Sequence, residues 1–166
     1  MGDIYIDEVR DIHIVKKIVY NTWGYKKNLG LILVHGGMAN AEWWNFISPD
    51  FAKSHRVIAM NLGGMGDSDW KKKYSIESWG DEIVSGCKNE KLKKTIRVGH
   101  SLGGMCSVID ASSMKKTLDG LVIVDSARMP PSDKHPKFDL KIRTNNIDKK
   151  QYDIRNRLRI APSKRH

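Results

Sequence analysis

Four short runs set the frame for this chain: Leu31–Val34 (LILV), Val57–Met60 (VIAM), Thr95–Val98 (TIRV) and Leu121–Val124 (LVIV). Three are apolar at every position and bounded by Gly, Asn or Asp, while Arg97 interrupts the remaining one. A strand with one wet face alternates; a run that is apolar throughout needs cover on both sides, as in a parallel sheet flanked by helices.

Helix-length segments lie between the runs to supply that cover. In SIESWGDEIVSGCKNEKL, Ile76, Trp79, Ile83, Val84 and Cys87 recur at helical spacing, Ser75 stands at the N-cap, and Glu77 sits in the first turn, where the helix dipole favours an acid. LGGMCSVIDASSMKK places Met105, Cys106, Val108, Ile109 and Met114 along a second apolar face. WWNFISPDF is a third, shorter candidate, limited by Pro49.

IYIDEV and HIVKKIVYNTW partly alternate, which predicts two antiparallel edge strands opening the sheet. The order is then β-β-β-α-β-α-β-α-β. Repeated βα units predict a doubly wound, mostly parallel α/β sheet with right-handed crossovers.

The pattern changes after Asp125, where Pro130, Pro131, Pro136 and a polar run follow. We divide the chain into a core over residues 1–128 and a basic, Pro-containing segment over 129–166. The net charge of +10 raises the question of a polyanion partner. From Ser132 to His166 there are 11 Lys and Arg against 4 Asp, so most of the excess belongs to this segment. It has few aromatic residues and no nucleic-acid-binding pattern, and we read it as solvated surface, with neither nucleic acid nor membrane as a partner.

No apolar run approaches the roughly 20 residues that cross a bilayer, and MGDIYIDEVR has neither the basic start of a signal peptide nor the Ser or Thr of a myristoylation site. The expectation is a cytoplasmic protein. Cys87 and Cys106 have no CxxC spacing and no histidine at ligand spacing, so they are expected as buried free thiols, with no metal and no cofactor.

Chemistry enters at RVGHSLGGM. Gly99-His100-Ser101-Leu102-Gly103 is a G-x-S-x-G pattern that directly follows a strand and opens a helix. The serine is expected on a tight, strained turn, where flanking side chains would collide with strand and helix and where the first helical N–H groups favour negative charge. Alone, the pattern also fits a glycine-rich turn with an incidental serine.

A second element, His35-Gly36-Gly37-Met38, ends the first central strand, and a third, Asn61-Leu62-Gly63-Gly64-Met65-Gly66-Asp67-Ser68, ends the next. The third lacks the Lys-Ser/Thr pair and the full glycine pattern of a nucleotide loop.

HGGMANAEWW, NLGGMGDSD and VGHSLGGM, in this order and spacing, resemble the α/β-hydrolase superfamily, in particular its esterase, lipase and peptidase-like members, from about residue 3 to Ser126. The third motif departs from the family's D-x-R-G-x-G-x-S: Asn61 stands at the acid and Gly63 at the arginine, which bears on the local salt bridge and loop but not on the fold. The resemblance implies Ser101 as nucleophile, the N–H groups of Gly37 and Leu102 as the oxyanion hole, and Met38 beside them in the substrate-binding turn. His35 and His100, fixed inside turns next to the serine, are read as structural. Trp43, Trp44 and Met38 line an acyl pocket on one reading and are plain core on the other.

The resemblance also implies a later acid and histidine. Asp125, at the end of what corresponds to the family's sixth of eight strands, is a candidate acid; most members take it after the seventh. The histidines beyond the elbow are His135, in a segment like the start of the family's cap, and His166. The 166 residues therefore read as the N-terminal part of an esterase-like serine hydrolase for a small ester-type substrate, whether a truncated frame, a proteolysed product or half of a split enzyme. The LVIV strand is then an uncovered edge that pairs with a complementing C-terminal half or with itself. The alternative is a non-catalytic binding or interaction module built on the same scaffold.

Overall fold

The computed structural model describes residues 2–9, 12–111 and 117–126. Six strands, β1 (Gly2–Val9), β2 (Ile12–Trp23), β3 (Leu29–Val34), β4 (His55–Met60), β5 (Thr95–His100) and β6 (Leu118–Val124), form one sheet in the order β1-β2-β4-β3-β5-β6. The β4, β3, β5 and β6 strands run parallel, and β2 is antiparallel to both its neighbours. Between them lie a 3-10 helix at Ala41–Trp44, α1 (Ser48–Phe51), α2 (Ile76–Asn89) and α3 (Leu102–Ala111). The expected element order and sheet type are thus observed.

One detail of the opening pair is corrected. Of the two, β1 alone lies at the edge, because the 12 residues of β2 reach further than β1 can cover. Its first part pairs with β1, while Tyr20–Trp23 pair with Val57–Met60 of β4.

The two-fold period of β3 and β4 builds a core on each face of the sheet. Ile32, Val34, Ile58 and Met60 join Ile18 and Tyr20 under α2 and α3, which contribute Trp79, Ile83, Leu102 and Cys106. Leu31, Leu33, Val57 and Ala59 face the other way, onto Ala41 and Trp44.

Ser75 caps α2 as expected. Its hydroxyl accepts from the Ser78 N–H and the Ser78 hydroxyl accepts from the Ser75 N–H, both at 3.1 Å. Such a box contributes about 1 kcal/mol. Pro49 sits in the first turn of α1, where a missing N–H costs nothing, and the expected third helix is split into two short pieces.

One burial expectation changes. Val108 is exposed rather than on the inner face of α3. Arg97, the interruption in the TIRV run, is fully buried within β5. On β6, Val122, Ile123 and Val124 are 48%, 42% and 42% exposed, so among the described residues this strand is the exposed outer edge expected of it. Cys87 and Cys106 are buried and free, and burial pushes the Cys106 thiol well above its usual range. Met114, the segment 129–166 and the boundary at 128 lie outside the described residues.

Candidate active site

The chain leaves β3 to form β4 on one side and then crosses back to form β5 on the other. The connections after β3 and β5 therefore diverge, opening a crevice at the carboxyl ends of these two strands, where open α/β sheets bind ligands. The His35–Met38 turn leaves β3 at this point and the Ser101 turn leaves β5.

Ser101 sits between β5 and α3 with φ 50°, in the left-handed region that costs a side chain about 1–2 kcal/mol. Its N–H donates to the Val124 carbonyl at 2.9 Å, and its carbonyl accepts from the N–H groups of Gly104 (3.0 Å) and Met105 (3.2 Å). The Ser126 hydroxyl donates to the same carbonyl at 2.8 Å.

The glycines make this bend sterically allowed. A Cβ on Gly99 would lie 2.6 Å from the Gly103 carbonyl oxygen, and one on Gly103 would lie 2.5 Å from the carbonyl oxygens of Val34 and His35. A Cβ on Gly104 would overlap the Ser126 hydroxyl.

The second turn lies directly against the first. A Cβ on Gly36 would come within 3.2 Å of the Ser101 Cβ, and one on Gly37 within 3.7 Å of the Leu102 side chain. Ala39 N–H closes the turn onto the Gly36 carbonyl at 3.2 Å, with Met38 at φ 64° in the position where a type II turn requires a positive value. Gly37, Met38, Ser101 and Leu102 are thus brought together.

His35 ties this turn to the loop after β4. It is fully buried; its Nδ1–H donates to the Gly36 carbonyl at 2.7 Å and its Nε2 accepts from the Leu62 N–H at 3.1 Å. Accepting at Nε2 requires the neutral ring, and burial lowers its pKa from 6.5 to about 4.

Asn61 fills the family's acid position in a different way: its side-chain oxygen accepts from the Ala41 N–H at 2.6 Å. Ser68, at the end of the same loop, accepts from the Val19 N–H and donates to the Asn61 carbonyl, so the loop is sewn to β2.

Gly63, which stands at the family's arginine position, lies beside a buried ion pair. Glu82, fully buried on α2, accepts from the Gly63 N–H at 2.7 Å and pairs with Lys71. A Cβ on Gly63 would lie 2.7 Å from the Glu82 carboxylate and 3.0 Å from the Lys71 stem, so the glycine makes the room that Lys71 enters. Burial pushes the Glu82 carboxyl above its ordinary range, against the pull of Lys71 and the Gly63 N–H. Sequence reading missed Lys71, Glu82 and Ser126. Glu82 lies between Trp79 and Ile83 on the apolar face of α2, which is the one signal that could have marked it.

Trp44 is core, while Trp43 is 37% exposed and its ring lies 4.6 Å from that of His100. Asp125 is exposed at the end of β6 with φ 47°. Among the described side chains no histidine is hydrogen-bonded to Asp125 or to the Ser101 hydroxyl. His135 and His166 lie outside the described residues. No helix among the described residues is long and apolar enough to cross a membrane.

A six-stranded, mostly parallel sheet with a strand-turn-helix serine beside a glycine turn defines an α/β hydrolase. The family profile described as alpha/beta hydrolase fold matches residues 31–157, and the chain belongs to that family. It is similar to a pimeloyl-[acyl-carrier protein] methyl ester esterase of Sodalis glossinidius, with 32% identity over 97 residues, 58% of this chain and 36% of that protein. It is also similar to a 2-hydroxymuconate semialdehyde hydrolase of Pseudomonas sp. strain CF600, with 30% identity over 102 residues, again 58% of this chain and 36% of that protein. Among solved structures, a thermophilic esterase from Thermogutta terrifontis shares the fold with TM-score 0.70 and 23% identity, over 80% of this chain and 48% of that one. The chain spans about a third of the length of the curated relatives it matches.

Proposed function

We propose that this chain carries the nucleophile and oxyanion hole of an esterase-like serine hydrolase. The observation that carries the reading is Ser101 held at φ 50° against the Gly36-Gly37 turn. In this reading the Ser101 hydroxyl attacks an ester carbonyl, its proton passes to a base, and the N–H groups of Gly37 and Leu102 hold the resulting oxyanion. Each donor lowers the barrier by about 3 kcal/mol. Collapse expels the alcohol, which takes the proton from the base, and water then hydrolyses the acyl-serine. Esters with apolar acyl groups are the substrate class, in keeping with a relative named as a methyl ester esterase.

Asp125 is the acid candidate within the described residues. None of the three histidines whose side chains are described suits the role of base. His35 is locked between Gly36 and Leu62, His55 opens β4 at the opposite end of the sheet, and His100 is turned against Gly36. The base comes instead from a segment that pairs beside β6, in the same polypeptide or a second one, with His135 and His166 as alternatives. The exposed Val122, Ile123 and Val124 support a partner strand there.

A fluorophosphonate probe tests the reading. Labelling of the chain, abolished by Ser101→Ala, is the expected result. No labelling, even with a complementing C-terminal segment of a relative supplied, would overturn it in favour of a binding module.

A further inference from the structure

Trp43 and Trp44 are adjacent in sequence and have opposite fates. Trp44 is 9% exposed and belongs to the core beneath the sheet, and its carbonyl accepts from the Ser48 hydroxyl at 2.7 Å. The Trp43 ring stands edge-on to it at 6.0 Å and 70°, turned toward the end of β5.

There it meets the imidazole of His100, the residue immediately before Ser101, at 4.6 Å between ring centroids and a 56° tilt. The imidazole is itself backed by the glycine turn. Its Nδ1 is buried against Gly36, at a place where even a Cβ on that glycine would come within 2.7 Å, and the same Cβ would touch Ser101.

The Trp43 backbone is also held. Its N–H donates to the Asn40 carbonyl at 3.2 Å, and the Asn40 side chain caps the 3-10 helix through the Glu42 N–H at 3.0 Å. The indole is therefore a rigid, partly exposed apolar surface one residue removed from the nucleophile. Phe46, Ile47 and Phe51 extend exposed apolar side chains along the same segment. A large aromatic ring fixed on both sides and open on a third is the form of a binding anchor, because it buries apolar ligand surface with little loss of conformational freedom.

We propose that Trp43 is a specificity-determining residue: its indole receives the apolar chain of a medium-length acyl group attached at Ser101, and so selects longer acyl chains over acetyl-sized ones. The proposal rests on Ser101 being the nucleophile. His100 acts through Trp43 as the support that sets the indole's position.

The test compares labelling of Ser101 by ethyl and octyl fluorophosphonates, with any complementing segment that the unsubstituted protein requires present throughout. The unsubstituted protein is expected to favour the octyl probe, and Trp43→Ala to lower the octyl-to-ethyl rate ratio about tenfold while leaving the ethyl rate within about threefold. Trp43→Phe, which keeps a ring on His100, retains most of the preference. If Trp43→Ala does not fold, Trp43→Gln replaces it with the same expected fall. An unchanged ratio with ethyl labelling intact overturns the role of Trp43 and leaves the hydrolase reading standing. No labelling of the unsubstituted protein by either probe removes the nucleophile itself, and the specificity role with it.

Discussion

The hydroxyl of Ser126 donates to the carbonyl oxygen of Ser101 across 2.8 Å, joining the end of β6 to the bend after β5. This bond adds a third donor to a carbonyl already shared by the first turn of α3, and it fixes the peptide that follows Ser101. Ser126→Ala is expected to cost about 1 kcal/mol in denaturant unfolding. It should also slow fluorophosphonate labelling several-fold, with Ser126→Thr restoring the rate.

Gly104→Ala tests the same contact from the helix side. Alanine normally favours a helix by about 1 kcal/mol over glycine. Here its Cβ overlaps the Ser126 hydroxyl and approaches the Gly99 carbonyl at 3.0 Å. The substitution is expected to lower the melting temperature instead, and adding Ser126→Ala should recover part of the loss.

The left-handed backbone at position 101 predicts an ordering in stability of two variants that lack the hydroxyl. Ser101→Gly should be more stable than Ser101→Ala by about 1 kcal/mol, since only glycine adopts this φ without strain. Chemical denaturation of the two, side by side, checks it.

His35 predicts a pH dependence with a definite sign. The folded ring, at about 4, binds a proton less readily than the unfolded ring at 6.5. Its contribution to stability is therefore complete above about pH 6.5 and falls as the pH drops toward about 4, by up to about 3 kcal/mol. The difference in unfolding free energy between the unsubstituted chain and His35→Asn should shrink over this window and stay flat above it.

Lys71→Met leaves the Glu82 carboxylate buried without its cation. A deficit of about 3–5 kcal/mol is expected near neutral pH. It should narrow as the pH falls and the carboxyl takes up a proton, and Glu82→Gln in the same chain should recover much of it. Urea unfolding at two pH values measures both effects.

The strands, the order of elements and the serine bend were legible in the sequence because each depends on neighbours a few residues apart. LILV and VIAM need cover on both faces wherever they lie, and Gly99 and Gly103 leave room for a bend whatever surrounds it. Arg97 shows where that reasoning stopped: a guanidinium within an otherwise apolar strand reads as an interruption, yet β5 carries it fully buried. Whether a charge is tolerated depends on groups that only the folded chain brings near.

The sequence by itself therefore determined the local conformations: apolar strands, an amphipathic α2 with its serine cap, and a left-handed serine between glycines. Tertiary structure alone decided that β5 crosses to the far side of β3, so that the turns at 36–38 and 101–102 meet in one crevice. It alone decided that Lys71 enters the space left at Gly63, that Ser126 clamps Ser101, and that Trp43 rather than Trp44 faces outward. These are contacts between segments distant along the chain, made specific by shape and burial, and no periodicity in a single strand or helix encodes them.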